Sequence, residues 1–195
     1  MSLWQYFSKH GRRRIILCLG AISCLASPAV AGGQEVQRIN EVKAAFVLNV
    51  ARFVTWPAEV FDGDDAHLLL CIYHTNPFGD ALDSISGKTV SGRQLEIMQL
   101  ESLVDSESCH ILLISPQKLD DFVKEERPGQ ASPLLTIADM TDTAKGSATG
   151  TGVLITLVRK GSRIGFEIDL ERVRSAGIKM SSELLKHARI VGGGS

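Results

Sequence analysis

Cysteine and histidine are the residue types here that could most readily do chemistry. The sequence has four cysteines, none of them in a C-x-x-C redox motif. Beyond the N-terminal segment there are four histidines, and none has the H-E-x-x-H or paired spacing of a metal site: His67, His74, His110 and His187. The spacing therefore predicts no bound metal and no thiol-exchange centre, and it leaves Cys71 and Cys109 to be explained.

Other motifs that could support catalysis are incomplete. Gly87-Lys88-Thr89 resembles the end of a phosphate-binding loop, but Leu82 stands where that loop needs a glycine. There is no G-x-S-x-G nucleophile turn. The acidic loop Asp62–Asp65 lacks the glutamate of a calcium-binding EF-hand. We predict that the protein is not an enzyme and binds no cofactor; a hydrolase or thiol enzyme is the disfavoured alternative.

The N-terminus has the three parts of a secretory signal peptide. Lys9 and Arg12–Arg14 form a basic start, Ile15–Leu25 is apolar, and Ala29-Val30-Ala31 fits the cleavage pattern. The apolar run falls short of the about 20 residues that span a bilayer. We predict cleavage after Ala31 and export, with a membrane anchor or a lipoprotein site at Cys24 as alternatives.

Length and charge fit one exported domain. Removal of 31 residues from 195 leaves 164, with 17 basic and 22 acidic side chains and a net charge of −5. That balance disfavours nucleic acid as a partner. We predict a signal peptide over 1–31, one domain over 32–191 and a flexible tail over 192–195.

The two cysteines of the mature chain would enter an oxidising compartment, where a disulfide is favoured. Cys71 lies in one apolar run and Cys109 begins another. A bridge would close a loop of 38 residues and contribute about 4 kcal/mol to stability. Two buried free thiols are the alternative, and a bridge could be structural or a redox sensor.

Hydrophobic patterns predict an α/β fold. Apolar residues at helical spacing over 36–54 predict a long amphipathic helix before Trp56-Pro57. The pattern then alternates strands with helices, which favours a mostly parallel sheet with helices on both faces. We predict one flavodoxin-like sheet of order 2-1-3-4-5 with a C-terminal antiparallel hairpin and helices. The predicted strands are 67–73, 94–100, 109–115, 134–138, 153–158 and 163–168, and the later helices 77–86, 116–126, 169–176 and 182–190.

Five segments, in this order, carry a resemblance to a known family. They are KAAFVLNVARFVTWP (43–57), NPFGDAL (76–82), GKTVSGR (87–93), CHILLIS (109–115) and FEIDLERVRSAGIKMSSELLKHARIV (166–191). Together they resemble the YfiR-like periplasmic proteins over nearly the whole mature chain. Two departures stand out: Thr156 replaces an asparagine found in many relatives, and residues 140–153 lack the second cysteine pair of some. Redox control, if present, would depend on Cys71 and Cys109 alone.

The resemblance implies a periplasmic location and a repressive function. Members of this family repress a YfiN-like, membrane-bound diguanylate cyclase by binding its periplasmic domain, which lowers cyclic di-GMP. A YfiB-like, OmpA-like lipoprotein can sequester the repressor. A homodimer is also open. The alternative function is a small-molecule sensor that binds its ligand at the carboxyl ends of the strands.

Partner contacts are predicted in two places. Arg163 and Glu167 alternate along the hairpin strand with apolar residues, and Lys179 follows nearby in the sequence. Trp56 could anchor a partner because aromatic residues are enriched at interface centres. The alternatives are plain solvation of the charges and internal packing of the tryptophan.

Overall fold

The computed structural model describes residues 29–63, 66–125 and 133–192. The predicted signal peptide falls outside these residues, apart from its last three positions, which begin the first helix. The predicted tail also lies outside them beyond Gly192.

Four α-helices and ten strands make up the described fold. The helices are α1 (Ala29–Arg52), α2 (Leu119–Lys124), α3 (Leu170–Ser175) and α4 (Ser182–His187). The strands are β1 (Val54–Thr55), β2 (Leu68–Tyr73), β3 (Thr89–Val90), β4 (Arg93–Leu100), β5 (Ile111–Ile114), β6 (Leu135–Asp139), β7 (Ile155–Lys160), β8 (Arg163–Asp169), β9 (Lys179–Met180) and β10 (Arg189–Val191). Short 3₁₀ helices cover Ala58–Val60, Gly79–Ser84, Leu103–Ser108 and Pro116–Lys118.

Eight strands form one curled sheet in the order β10-β8-β7-β6-β5-β2-β4-β3. Its central part, β4-β2-β5-β6-β7, is parallel throughout and has the flavodoxin-like order 2-1-3-4-5 that the sequence predicts. Strand β8 returns antiparallel to β7 across a two-residue turn whose Gly161 has φ +62°, a conformation that favours glycine. The predicted fold class is confirmed.

The central strands are buried on both faces, as their continuous apolar sequences predict. Leu70 and Ile72 of β2 pack in the larger core beneath α1, whereas Cys71 and Tyr73 point to the opposite face. That second face is covered by α2 and by the 3₁₀ turn of 103–108, through Leu119, Phe122 and Leu103.

The C-terminus differs from the prediction. The helix expected over 182–190 ends at His187, and Arg189–Val191 instead pairs parallel with β8. The backbone of Ala188 is already extended, and β8 offers its free edge to the residues that follow. Pairing with the edge of β8 gives the N–H and C=O groups of 189–191 hydrogen-bond partners. A further half turn of so short a helix would add little stability.

Short helices elsewhere are also tighter than predicted. The segment expected as a helix over 77–86 forms the 3₁₀ helix Gly79–Ser84 after an Asn76 turn. The segment over 116–126 begins as the 3₁₀ helix Pro116–Lys118 and becomes α2. Asp169 caps the start of α3, since its side chain accepts a hydrogen bond from the Arg172 N–H.

Candidate functional site

A disulfide joins Cys71 in β2 to Cys109, the second residue before β5. The two Cα atoms are 5.9 Å apart, and both side chains are buried in the second core. Strands β2 and β5 are neighbours in the sheet, so the bridge cross-links a pairing that already exists. It links two adjacent strands at the centre of the fold.

His110 follows the disulfide and is itself buried. Its Nδ1 accepts a hydrogen bond from the Leu69 N–H at 3.0 Å, and its ring stacks on Phe61 with centroids 4.5 Å apart. Its Nε2 is buried and has no hydrogen-bond partner among the described residues. Burial lowers the pKa of His110 below 6.5, and the Arg93 charge adds to this.

Trp56 and Arg93 pack around His110 and Phe61. The Trp56 indole N–H donates to the His110 carbonyl at 3.2 Å, and the side chain is only 8% exposed. The Arg93 guanidinium lies 3.9 Å from the centroid of Phe61 and donates to the Gly63 and Ala66 carbonyls. Trp56 therefore lies inside the fold and helps to hold the segment after α1 against β5.

Polar groups fill the carboxyl ends of β2 and β4. Glu125 accepts hydrogen bonds from Tyr73 Oη, Ser102 Oγ and the Leu103 N–H. Burial opposes ionisation, yet these donors lower the pKa of Glu125 overall. Burial and the Glu125 charge raise the pKa of Tyr73 well above its ordinary value. The carboxylate is thus engaged in tying the end of α2 to the sheet.

A second polar cluster lies at the carboxyl end of β6. Lys43 from α1 donates to Asp139 at 2.8 Å and to Asp142 at 3.3 Å. Arg159 of β7 also binds Asp142, at 2.6 Å, and this hydrogen bond does most to lower the pKa of that carboxyl. The cluster fastens the long helix to two strands.

The predicted partner contacts occupy different surroundings. Arg163 is exposed where β8 begins, and Lys179 is exposed in β9, which pairs with β1. Glu167 is only 4% exposed: its carboxylate binds Arg189 at 2.9 Å and Ser147 at 2.6 Å. Two of the four residues, Arg163 and Lys179, are therefore open to a partner in this conformation, whereas Trp56 and Glu167 lie within the fold.

An apolar cleft that the sequence reasoning missed lies between α1, β8 and α4. Its volume is about 340 Å³, and its lining is mostly aromatic and aliphatic: Phe46, Val50, Phe53, Phe166 and Leu184, with Asn49, Glu183 and His187 also in the wall. Phe53 is 43% exposed, which is unusual for so large an apolar side chain. The seven-residue spacing of Phe46 and Phe53 was the available signal.

The described residues contain neither a cluster of metal-ligating side chains nor a membrane-spanning helix. No group of three or more His, Cys, Asp or Glu side chains in 29–63, 66–125 and 133–192 could hold a metal ion. Within the same ranges no helix has the length and hydropathy needed to cross a bilayer.

The strand order and the central bridge define a disulfide-linked α/β domain of flavodoxin-like topology. The chain belongs to the YfiR/HmsC-like family, whose pattern it matches over residues 40–189. This match confirms the resemblance noted from the sequence. No curated protein shows significant similarity to the chain.

Proposed function

We propose that the protein is a periplasmic, non-catalytic regulator that represses a membrane-bound diguanylate cyclase. The observation that carries the proposal is the family match, which extends over residues 40–189 and so includes every strand from β1 to β9. In this account the protein binds the periplasmic domain of a YfiN-like cyclase and holds it inactive. Loss of the protein then raises cyclic di-GMP.

The chain has two features that suit an exported protein. Its N-terminus has the composition of a signal peptide, and its fold contains a disulfide between β2 and β5. Structural disulfides persist in oxidising compartments such as the periplasm and are rare in the cytosol. Both features support the proposed location.

The C-terminal part of the fold is the proposed contact surface. Residues 159–192 contain eight Lys and Arg against four Asp and Glu, a net charge of +4. Two of those acids, Glu167 and Asp169, are buried and paired with Arg189 and Arg172. Arg163, at the start of β8, and Lys179, in β9 beyond the other end of that strand, are exposed basic residues of this segment. Each suits acidic groups on the cyclase, because complementary charge speeds and orients association. Trp56 and Glu167 then act from within, by supporting the surface.

A second proposed partner is a YfiB-like, OmpA-like outer-membrane lipoprotein. In the proposed cycle this lipoprotein captures the regulator and so releases the cyclase. The two partners would compete for one protein of about 160 residues, so a shared or overlapping surface is the simplest arrangement. Ligand binding at the carboxyl ends of the strands stays a prediction for the alternative sensor function.

Calorimetric titration of the purified protein with the periplasmic domains of the membrane-bound cyclases of the same organism tests the proposal. We expect stoichiometric binding to one of them and weaker binding by an Arg163→Glu/Lys179→Glu variant. Lys88→Glu is the control, because Lys88 is also exposed but lies beside β3 at the far edge of the sheet. Lack of binding to every such domain would contradict the proposal.

A further inference from the structure

We propose that the outer edge of β4 is a docking site for a basic, extended segment of another protein, which adds to the sheet as a further strand. This edge lies five strands along the sheet from β8, at the opposite end from the C-terminal segment. It is a second surface of the protein, and its existence does not depend on the cyclase as a partner.

Strand β4 is covered on its outer side only where it begins. It pairs with β2 over Leu95–Leu100, but with β3 only through its first two residues. The Leu95 carbonyl then accepts a hydrogen bond from the Gly87 N–H at 2.8 Å, and the Leu95 N–H donates to the Lys88 carbonyl at 2.9 Å. Beyond Leu95 no strand pairs with this side of β4 within the part of the chain that the structure describes.

The backbone groups of Ile97 and Gln99 face this open side. Both hydrogen-bonding groups of Leu95 point outward, and backbone groups alternate between the two sides along a strand. The Leu100 carbonyl agrees with this alternation, since it points inward and accepts a hydrogen bond from the His74 N–H. Ile97 and Gln99 therefore leave two N–H and two C=O groups without a backbone partner among the described residues.

The edge is open because the chain itself turns away from it. Gly87 has a φ of +71°, a conformation that favours glycine, and the residues before it enter the core, where Leu82 and Ile85 are buried. Natural proteins protect an exposed sheet edge with lysine, proline or a bulge. The stretch Glu96–Gln99 contains neither lysine nor proline, and its register with β2 is unbroken. This edge is therefore able to accept a further strand.

The charge around the edge specifies a basic partner. Residues 94–107 contain no basic side chain and four acidic ones, all of them exposed: Glu96, Glu101, Asp105 and Glu107. His67 contacts Glu96 and His74 contacts Glu101, yet the two glutamate side chains are 52% and 79% exposed. A segment rich in lysine or arginine would complement this surface, because complementary charge speeds and orients association.

The side chains on one face of β4 define what the segment presents. Glu96 and Met98 share this face because side chains alternate along a strand, and Met98 is 42% exposed beside Cys71 of β2. In strand addition the main-chain hydrogen bonds provide affinity and alternate side chains provide specificity. We therefore expect a lysine or arginine opposite Glu96 and an apolar residue two positions away, opposite Met98. The segment runs antiparallel to β4, as β3 does.

Fluorescence polarisation of the labelled peptide KTVTKTVT with the purified protein tests the proposal. We expect a micromolar dissociation constant that increases with salt concentration. N-methylation of the threonines, whose amides face Ile97 and Gln99 in the antiparallel register, should abolish binding, whereas N-methylation of the lysines and valines should be tolerated. ETVTETVT should bind at least about tenfold more weakly. No binding of KTVTKTVT at millimolar concentration, or equal binding of the two N-methylated peptides, would overturn the proposal.

Gln99→Pro tests the same edge from the side of the protein. The Gln99 N–H points away from β2, so proline removes an outer donor and no hydrogen bond of the sheet. Gln99→Ala is the matched control, since it also loses the side-chain hydrogen bond to the His74 carbonyl but keeps the N–H. The proline variant should bind KTVTKTVT at least about tenfold more weakly than the alanine variant. Equal affinities would overturn the proposal.

Charge reversal gives a test that does not alter the backbone of β4. Glu96→Lys should weaken the binding of KTVTKTVT at least about tenfold, whereas Glu171→Lys, at an exposed acid of α3, should leave it unchanged. Equal effects of the two changes would count against the edge as the docking site. Self-association of the wild-type protein that Gln99→Pro abolishes would assign the edge to a second copy of the chain, and would also overturn the proposal.

Discussion

Lys43 Nζ lies 2.8 Å from Asp139 Oδ2, and the side chains are only 2% and 5% exposed. The pair joins the middle of α1 to the end of β6, across the larger core. Asp139 also accepts hydrogen bonds from the Thr141 N–H and hydroxyl, so its charge is fully solvated by the protein. The contribution of the Lys43–Asp139 pair to stability depends on its burial, because a buried charge that loses its partner is costly.

Replacement of Lys43 by methionine should therefore be strongly destabilising. The variant keeps the length of the side chain but leaves Asp139 without its cation, at a cost of about 3–5 kcal/mol in the free energy of unfolding. Urea denaturation measures this loss. Lys118→Met removes an exposed pair with Asp121 and should cost at most about 1 kcal/mol. Equal losses of unfolding free energy in Lys43→Met and Lys118→Met would show that burial does not determine the contribution of these ion pairs.

Loss of the disulfide should cost about 4 kcal/mol, since the bridge closes a loop of 38 residues. Cys71→Ser and Cys109→Ser should each show this loss in urea denaturation. The reference is the wild-type protein in a thiol reductant. Its free energy of unfolding should fall to the value of the variants, whereas the free energies of the variants should not change with the reductant.

Repression measured in the same variants separates the two functions of the bridge. A structural bridge predicts that repression falls only as far as the folded fraction falls. A redox sensor predicts loss of repression at temperatures where the reduced protein is still folded. Full stability and full repression in Cys71→Ser would contradict both.

Acid should destabilise the protein through His110. Its pKa is lowered by burial from 6.5, so below pH 6.5 the unfolded chain takes up a proton at this residue more readily than the folded protein does. This destabilising effect is absent well above pH 6.5 and grows as the pH falls below it. The free energy of unfolding then decreases by at most about 1.4 kcal/mol per pH unit. Unfolding free energies measured between pH 8 and pH 5 give this slope.

His110→Asn isolates that contribution, because asparagine can still accept a hydrogen bond from Leu69 N–H but does not titrate in this range. The slope should become shallower. His187→Asn, at an exposed histidine of α4, is the comparison variant. An unaltered slope in the His110 variant would show that acid acts elsewhere.

Charge reversal at Arg163 or Lys179 should impair repression without lowering the stability of the protein. Arg163→Glu and Lys179→Glu alter exposed side chains, so the free energy of unfolding should change by less than about 0.5 kcal/mol. Cellular cyclic di-GMP should nevertheless rise toward the level of a strain without the protein. Normal repression by both variants would remove this surface from the proposal.

Much of the fold could be predicted because its signals are local. The continuous apolar runs around Leu70 and Leu112 indicated central strands, and the parallel order placed Cys71 beside the segment of Cys109. The predicted helix over 169–176 corresponds to α3, which Asp169 caps with its side chain and which Gly177 follows with a φ of +71°. Each of these depends on residues close in sequence.

The remaining features depend on residues far apart in the chain. Arg189–Val191 forms a strand because it pairs with the free edge of β8. The sequence of these three residues gives no sign of that pairing. Glu167 alternates with apolar neighbours as an exposed residue would, but Arg189 and Ser147 close over it. Lys43 lies on a helix next to residues of the core, and its burial is explained by the distant Asp139 and Asp142, which both bind its ammonium group.

Cellular cyclic di-GMP in a strain that lacks this gene, compared with its parent, tests the central claim most directly. Repression of a cyclase predicts a clear rise that the full-length gene reverses when it is restored. A version without residues 1–31 should fail to reverse it, because the protein would then not leave the cytoplasm. An unchanged level in the deletion strain, under conditions in which the parent makes the protein, would contradict the account.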